Sequence, residues 1–156
     1  MSLYYVIDGY NLMHKIPELE GLSLQQAREN LLEIVKVNNL CGKNKVTVVF
    51  DGRLDVVAPP HHTNFIVLFS EGETADSLII RLVSKMNNPK SIRVVTDDKA
   101  IIRSIRNLNA KNISIAGFLK KMKTKRSRAN YKKHYLEEEE LDSITQEFKK
   151  KWTENK

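Results

Sequence analysis

Acidic side chains follow several predicted strands of this chain, at the point where each strand ends. Asp8 closes the segment LYYVID, and Asp51 directly follows KVTVVF. Asp97 and Asp98 follow SIRVVT, and Glu73 and Asp76 belong to the segment EGETAD, which leads into a helical pattern. Each acid alone fits a common turn or helix cap. Several carboxylates brought together, however, repel one another unless a cation neutralises them.

Hard oxygen ligands of this kind suit Mg²⁺ or Mn²⁺. Such an ion activates water and stabilises the oxygens of a phosphodiester, so the acids of these four segments predict metal-dependent phosphodiester hydrolysis. The amide of Asn11 could orient a carboxylate or a bound water without adding charge, and it also fits a simple turn. Five polar side chains of these segments are predicted to support the metal ligands, although each also fits a turn or cap: Ser70, Glu73, Thr74, Thr96 and Asp97.

The composition excludes several other kinds of site. A single cysteine, Cys41, in 156 residues leaves no disulfide framework and no cysteine zinc cluster within one chain. His14 and His134 have no partner at metal-ligand spacing, and His61 and His62 lie in a proline-containing loop. No G-x-G-x-x-G or Walker pattern occurs, so no organic cofactor is predicted. Without a run of about 18 apolar residues, we expect a cytoplasmic location and no membrane contact.

Positive charge is concentrated in one segment. The net charge is +7, and residues 120–133, KKMKTKRSRANYKK, hold eight lysines and arginines and no acid, which leaves −1 for the remainder. Such a segment suits a phosphate backbone, although it also fits a solubilising tail. We expect Tyr131 to stack on a base, and RNA contacts from Lys120, Lys121, Lys123, Lys125, Arg126, Arg128, Lys132 and Lys133.

The order of strand and helix patterns predicts the fold class. Apolar strand patterns cover residues 3–8, 45–50, 65–70, 91–96 and 112–116. Helical patterns cover 24–40 after Ser23, a segment from Thr74, 97–109 with Thr96 or Asp97 as cap, a segment from Gly117, and 135–152. Apolar strands separated by helices predict a mainly parallel sheet in a three-layer α/β/α domain. In such sheets the functional crevice lies beyond the carboxyl ends of the strands.

Four ordered motifs carry a family resemblance. VIDGYNLM, VVFDG, SEGETADSLI and VVTDDKAI together resemble the NYN domain of the YacP-like type, a branch of the PIN-like nucleases. The resemblance covers the chain from Tyr4 to about Trp152, including NISIAGFLKKM, the basic segment and the closing helix. It implies a PIN-like fold and a metal-dependent endoribonuclease that cleaves RNA by metal-activated water. We expect the RNA to be an mRNA or rRNA, free or bound to the ribosome.

The resemblance also implies roles for particular residues. Asp8, Asp76 and Asp98 match the metal-binding acids of the family, and Asp51 matches the acid after the second strand. Asp97 stays the alternative to Asp98 as a ligand. The remaining matches are Asn11, the polar residue of the first motif, and Glu73 and Thr74 of the ETAD signature. We expect residues 1–123 to form the nuclease domain, and 124–156 to be a basic segment and helix that packs on it or extends from it.

Three other functions compete with this one. The first is a non-catalytic RNA- or ribosome-binding module, in which the acids are only turn and cap residues. The second is a phosphatase of the haloacid dehalogenase type, which needs a nucleophilic aspartate two residues before its second acid, where this chain has Val6. The third is a flap nuclease, whose long insertions have little room in 156 residues.

Overall fold

Five parallel strands form the centre of the structure. The computed structural model describes residues 2–53 and 65–123. The strands are β1 (Tyr4–Asp8), β2 (Lys45–Phe50), β3 (Phe65–Phe69), β4 (Ile92–Val95) and β5 (Lys111–Ile113). Their order in the sheet is β3-β2-β1-β4-β5, and every neighbouring pair is parallel. The predicted parallel sheet is confirmed, and all of its strands, rather than most of them, run in one direction.

Helices connect the strands. They are α1 (Gly9–Met13), α2 (Leu24–Val37), α3 (Ala75–Lys85), α4 (Lys99–Asn107) and α5 (Ile115–Leu119), with short 3-10 turns at Pro17–Leu19, Pro89–Ser91 and Lys120–Lys123. No helix within the described ranges is long and apolar enough to span a membrane.

Both faces of the sheet are covered by helices, because successive side chains of a strand point to opposite faces. On one face, α3 and α4 complete an apolar core with strand residues: Val6, Val49, Ala75, Leu78, Ile79, Val83, Ile92, Val94, Ile101, Ile105 and Ala110. On the other face, the ring of Tyr5 lies 6.4 Å from that of Phe118 in α5. There Phe50 also lies beside Arg28 of α2. The α/β/α layering is therefore confirmed.

Local capping signals explain where two of the long helices begin. Ser23 and Gln26 form a capping box, in which each side chain accepts from the other residue's backbone N–H. Thr74 accepts from the backbone N–H of Ser77 and caps α3, as predicted. Asp98, which also fits a helix cap, accepts from the first free N–H groups of α4, whereas Thr96 and Asp97, the caps predicted from the helical pattern, do not.

Two predicted boundaries are also wrong. The strand predicted over 112–116 ends at Ile113, because Ser114 accepts from the backbone N–H of Gly117 and starts α5 at Ile115. The apolar residues after Ser114 therefore belong to a helix turn rather than to a strand. Helix α2 ends at Val37 rather than near residue 40, since Asn39 takes a positive φ of 49°.

The chain divides into two compact units, Met1–Lys121 and Met122–Lys156. The described residues other than Met122 and Lys123 belong to the first unit. The predicted helix over 135–152, most of the basic segment, and His61, His62 and His134 lie outside the described residues. The division at residue 123 stays a prediction.

Candidate active site

The carboxyl end of β1 lies where the strand order reverses. The chain places β2 and β3 on one side of β1 and then β4 and β5 on the other. A reversal of this kind leaves a crevice beyond the strand ends, because the connections leave in opposite directions. Asp8, the last residue of β1, lies at this point and is only 7% exposed. The strand order therefore places a nearly buried carboxylate where sheets of this kind bind their ligands.

Two donors hold the Asp8 carboxylate. Thr96, which directly follows β4 and is fully buried, donates from Oγ1 to Asp8 Oδ2 over 3.1 Å. The backbone N–H of Asn11 donates to the same carboxylate. Thr96 Oγ1 also accepts from the backbone N–H of Asp98 over 3.1 Å. One hydroxyl thus links the acid at the end of β1 to the acid that begins α4.

Asp98 has one oxygen engaged in capping. Its Oδ1 accepts from the backbone N–H groups of Ala100 and Ile101, at 2.9 and 3.1 Å. The charge of Asp98 nevertheless acts on Asp8 and on Asp76, and it raises the pKa of both. Asp98 is therefore both a helix cap and a member of the acid cluster, which we define as Asp8, Asp51, Asp76 and Asp98.

Asp97 is directed to a different part of the fold. Its Oδ1 accepts from the backbone N–H of Ile115, the first residue of α5, over 3.0 Å. Its own backbone N–H donates to Asn11 Oδ1 over 2.9 Å. Asp97 thus fastens α5 to the end of β4, and the amide of Asn11 fastens α1 to the same loop. This geometry favours Asp98 over Asp97 as a ligand.

Ser70 holds Asp51 in place. Ser70 follows β3 and is 5% exposed; its Oγ donates to Asp51 Oδ1 over 2.8 Å and accepts from the backbone N–H of Gly52 over 3.0 Å. Gly52 has φ +108°, a conformation that favours glycine. The Asp-Gly turn after β2 is therefore locked to the end of β3 by one buried hydroxyl.

The start of α3 brings Asp76 into the cluster. Asp76 lies in the first turn of this helix, which packs on β1 and β2. Its predicted neighbours have other partners: the Thr74 hydroxyl contacts Ser77, and Glu73 forms an ion pair with Arg81. Both of these residues thus organise the helix start.

Burial and mutual repulsion raise the pKa of two cluster acids. Burial is the main cause for Asp8, and the charges of Asp76 and Asp98 raise its pKa further, against the opposing effect of its two hydrogen bonds. Burial is also the main cause for Asp76, followed by the charges of Asp98 and Asp51. The ion pair found within the described ranges does not involve the cluster. Within the described residues, no ion pair therefore compensates the charge of the four carboxylates.

The donor chemistry of the cluster fits a hard divalent cation, because carboxylate oxygens that repel one another are stabilised by such an ion. Within the described part of the chain, no three or more His, Cys, Asp or Glu side chains lie close enough together to hold a metal ion by themselves. Mg²⁺ is commonly bound by one or two carboxylates together with waters and substrate phosphates, so an open arrangement suits it. Asp8 and Asp76 are the carboxylates on which the repulsion acts most clearly.

The raised pKa values predict how the metal-free protein responds to pH. Since the folded state favours protonated Asp8 and Asp76, their contribution to stability is present at acidic pH. It is lost as the pH rises through the raised pKa values. The test compares the wild type with an Asp8→Asn/Asp76→Asn variant in EDTA. As the pH rises from acidic to neutral, we expect the wild type to lose unfolding free energy relative to this variant. Urea unfolding across this range measures it; a difference independent of pH would contradict the prediction.

A second prediction concerns Thr96. In Thr96→Val, Asp8 Oδ2 and the backbone N–H of Asp98 both lose their partner at a fully buried position. We expect the free energy of unfolding to fall by about 2 kcal/mol. Thr96→Ser keeps both hydrogen bonds and serves as the control, with a loss of about 1 kcal/mol for the missing methyl group. Equal stability of the valine and wild-type proteins in urea would show that these bonds contribute nothing.

A buried arginine beside the site is absent from the sequence predictions. Arg28 is 4% exposed; its guanidinium donates to the hydroxyl of Tyr10 and lies 5.2 to 5.7 Å from the ring centres of Tyr10, Phe50 and Phe69. These rings belong to α1 and to the ends of β2 and β3, so the arginine joins the elements that carry Asn11, Asp51 and Ser70. The sequence feature that could have revealed this buried arginine is its position in the middle of the apolar stripe of α2.

The glycine after Asp8 is explained by close packing. A Cβ at Gly9 would lie 2.5 Å from Cε1 of Phe50 and 2.8 Å from the backbone oxygen of Val49. The short helix α1, which the sequence predictions missed, can therefore begin against β2 only with glycine at its first position. This packing puts Asn11 within reach of the loop after β4.

Of the predicted RNA contacts, only Lys120 has a described side chain, and it is exposed. The backbone of Lys121 and Lys123 lies in the short 3-10 turn. The contacts predicted for residues 125–133, including Tyr131, lie outside the described residues.

Comparisons with known proteins agree with the fold. The family model of the YacP-like NYN domain matches residues 5–156. The crystal structure of Rae1 (YacP) from Bacillus subtilis is 26% identical, with a TM-score of 0.67 over 97% of this chain and 92% of that chain. A crystal structure of a point mutant of that protein gives 29% identity and a TM-score of 0.65, over 89% and 86% of the two chains. No curated protein sequence matched.

Proposed function

This chain belongs to the YacP-like NYN family, a nuclease-type family, and from that premise we propose that it is a metal-dependent endoribonuclease whose active site is the acid cluster. The observation that carries the proposal is the gathering of four carboxylates at the strand reversal, where burial, followed by repulsion between the carboxylates, raises the pKa of Asp8 and Asp76. Such repulsion is unfavourable for folding unless a cation relieves it. A structural role alone does not require four acids at one sheet edge.

The side chains of the site have two roles, metal binding and positioning. Asp8, Asp76 and Asp98, with Asp51 beside them, would hold Mg²⁺ or Mn²⁺. When bound, this ion supplies the Lewis acidity that activates water and neutralises charge on the phosphate. Five polar residues keep the cluster and the elements around it in position, and they are Asn11, Ser70, Thr74, Thr96 and Asp97.

RNA is the substrate that we propose. Backbone contacts position the strand but do not read its sequence. Specificity would therefore come from RNA shape, from unstacked bases, or from a partner such as the ribosome. We propose an mRNA or an rRNA, free or ribosome-bound, as the substrate. We also propose that the protein acts in the cytoplasm and needs no organic cofactor.

The experiment is RNA cleavage with Mn²⁺, with Mg²⁺ and with EDTA, on a pool of structured and ribosome-bound RNA. We expect cuts with either metal and none with EDTA. Because water rather than the 2′-hydroxyl attacks, the products should lack 2′,3′-cyclic phosphates, and a 2′-deoxy substitution at the cut should be tolerated. Cyclic phosphates, or cuts that survive EDTA, would exclude the proposed chemistry and would indicate a contaminating ribonuclease.

A non-catalytic RNA-binding module is the second candidate. It is favoured by the fact that Asp98 also caps α4, so this acid has a structural use as well. RNA binding that is sensitive to salt but not to EDTA, together with no cleavage under either metal, would favour the module over the nuclease.

A further inference from the structure

The exposed face of α4 carries only positive charge. Lys99, Arg103 and Arg106 are all exposed. At about 100° per residue they fall within an arc of about 60°, and Ile101 and Ile105, which are buried, lie on the opposite side. Lys99, Arg103 and Arg106 therefore form one stripe, which we call the α4 ridge.

The other long helices of the described ranges do not have such a face. The exposed side of α2 mixes Glu29 and Glu33 with Lys36. On α3, the guanidinium of Arg81 is neutralised by Glu73. Within the described residues no acid forms an ion pair with the α4 ridge. Among the described residues, no carboxylate therefore neutralises these three charges.

Like charges at these spacings are unfavourable for the helix itself. Lys99 and Arg103 are four residues apart, and Arg103 and Arg106 are three apart, so each pair repels on the helix surface. A helix that needed only solubility would alternate acids with bases. An anion held along the ridge would remove the repulsion.

The ridge lies beside the acid cluster. Asp98, which belongs to the acid cluster, immediately precedes Lys99, so the ridge starts at the candidate active site and runs away from it along α4. Its length of about 10 Å lets it run beside a short stretch of an extended polyanion. Residues 99–136 contain twelve lysines and arginines and no acid. The remainder of the chain has 14 lysines and arginines against 19 acids, so the positive charge of the sequence is concentrated in the part that begins with the ridge.

We propose that the α4 ridge binds the phosphate backbone of the RNA strand that leads to the acid cluster. The inference deepens the proposed function and rests on it for the identity of the polyanion. It adds Lys99, Arg103 and Arg106 as positioning residues, which hold the strand while the acids act on one phosphodiester. The ridge makes no base contacts and so contributes affinity rather than sequence preference.

The test is RNA binding in EDTA, where no cleavage intervenes. The variant Arg103→Gln/Arg106→Gln keeps helix propensity and leaves Lys99, next to the acid cluster, in place. The matched control is Lys85→Gln/Lys90→Gln, two exposed lysines at the opposite edge of the sheet, which changes the net charge equally. The probe is a fluorescein-labelled, mixed-sequence single-stranded RNA of about 20 nucleotides, titrated at several salt concentrations.

We expect the ridge variant to reduce the slope of log K against log salt by about 1.4, since each lost contact to a single strand contributes about 0.7. At 0.1 M salt this corresponds to about 25-fold weaker binding, and the control should stay within about twofold of the wild type. With metal present, the loss should appear in KM and leave kcat at saturating RNA unchanged.

Several outcomes would overturn the inference. One is that the ridge variant and the control variant bind RNA with equal affinity. Another is that the wild type fails to bind RNA in EDTA. Tighter binding of polyglutamate than of RNA would also overturn it and would make the ridge a docking face for an acidic protein. If the wild type binds RNA but never cleaves it, the proposed nuclease fails while the binding data still decide the role of the ridge.

Discussion

The Asp8→Asn variant is expected to keep its fold and to lose RNA cleavage by about 10³-fold or more, because several kcal/mol of transition-state stabilisation depend on the bound cation. The loss should appear in kcat. Asparagine removes the most buried charge of the acid cluster while its side-chain oxygen can still accept from Thr96. Without metal, the variant should therefore be at least as stable as the wild type, since the pKa of Asp8 is raised by burial.

The matched control is Asp97→Asn. Asp97 directly precedes Asp98 in the sequence, but its carboxylate accepts from the backbone N–H of Ile115, and asparagine can do the same. We expect this control to retain cleavage within about fivefold of the wild type, and Asp98→Asn to lose it as Asp8→Asn does. Cleavage and urea unfolding should be measured on the same preparations. Full activity of Asp8→Asn would refute the proposed site, and inactivity of Asp97→Asn with intact stability would exchange the roles of the two neighbours.

The Gly9→Ala variant is expected to be destabilised by about 3 kcal/mol, the upper range for overpacking a well-packed core. The added methyl group would lie 2.6 Å from Cδ1 of Phe50 and 2.8 Å from the backbone oxygen of Val49. Phe50 has no room to retreat, because it is fully buried between Tyr10, Phe69 and the guanidinium of Arg28. Either α1 or β2 must shift.

Because α1 carries Asn11, this shift should also disturb the active site. Cleavage by the folded fraction of Gly9→Ala should fall. Gly117→Ala in α5 is the control, since its added methyl group would meet only the Ser114 hydroxyl, at 3.0 Å, and the side chain of Ile113 at 4.0 Å. We expect a change within about 1 kcal/mol for this control. Urea unfolding of both variants provides the comparison, and a Gly9→Ala protein as stable as the wild type would mean that the close contact is absent.

Local patterns predicted most of the fold. The apolar runs around Val6 and Val48 cannot face water on either side, and they do form central strands of a parallel sheet. Ser23 and Thr74 start helices because a side-chain oxygen can satisfy free N–H groups within the same turn. Such capping interactions span only three or four residues, so both the donor and the acceptor can be read from a short stretch of sequence.

Local patterns did not decide which of several neighbouring residues caps a helix. Asp98 caps α4 although Thr96 and Asp97 are also good caps, because Thr96 is used by Asp8 and Asp97 by Ile115. These partners lie 88 and 18 residues away in the sequence. The choice among three adjacent caps therefore depends on contacts that no local pattern contains.

The sequence alone determined the strands, the starts of α2 and α3 and the four acids that follow or adjoin these elements, since apolar periodicity and capping act over a few residues. Only the tertiary structure decided that β1 lies between β2 and β4, which brings Asp8 to the strand reversal. It also decided that Ser70 holds Asp51 and that Arg28 is buried among three rings. These contacts join residues from 18 to 41 positions apart, and such contacts exist only once the sheet has assembled and its helices have packed on it.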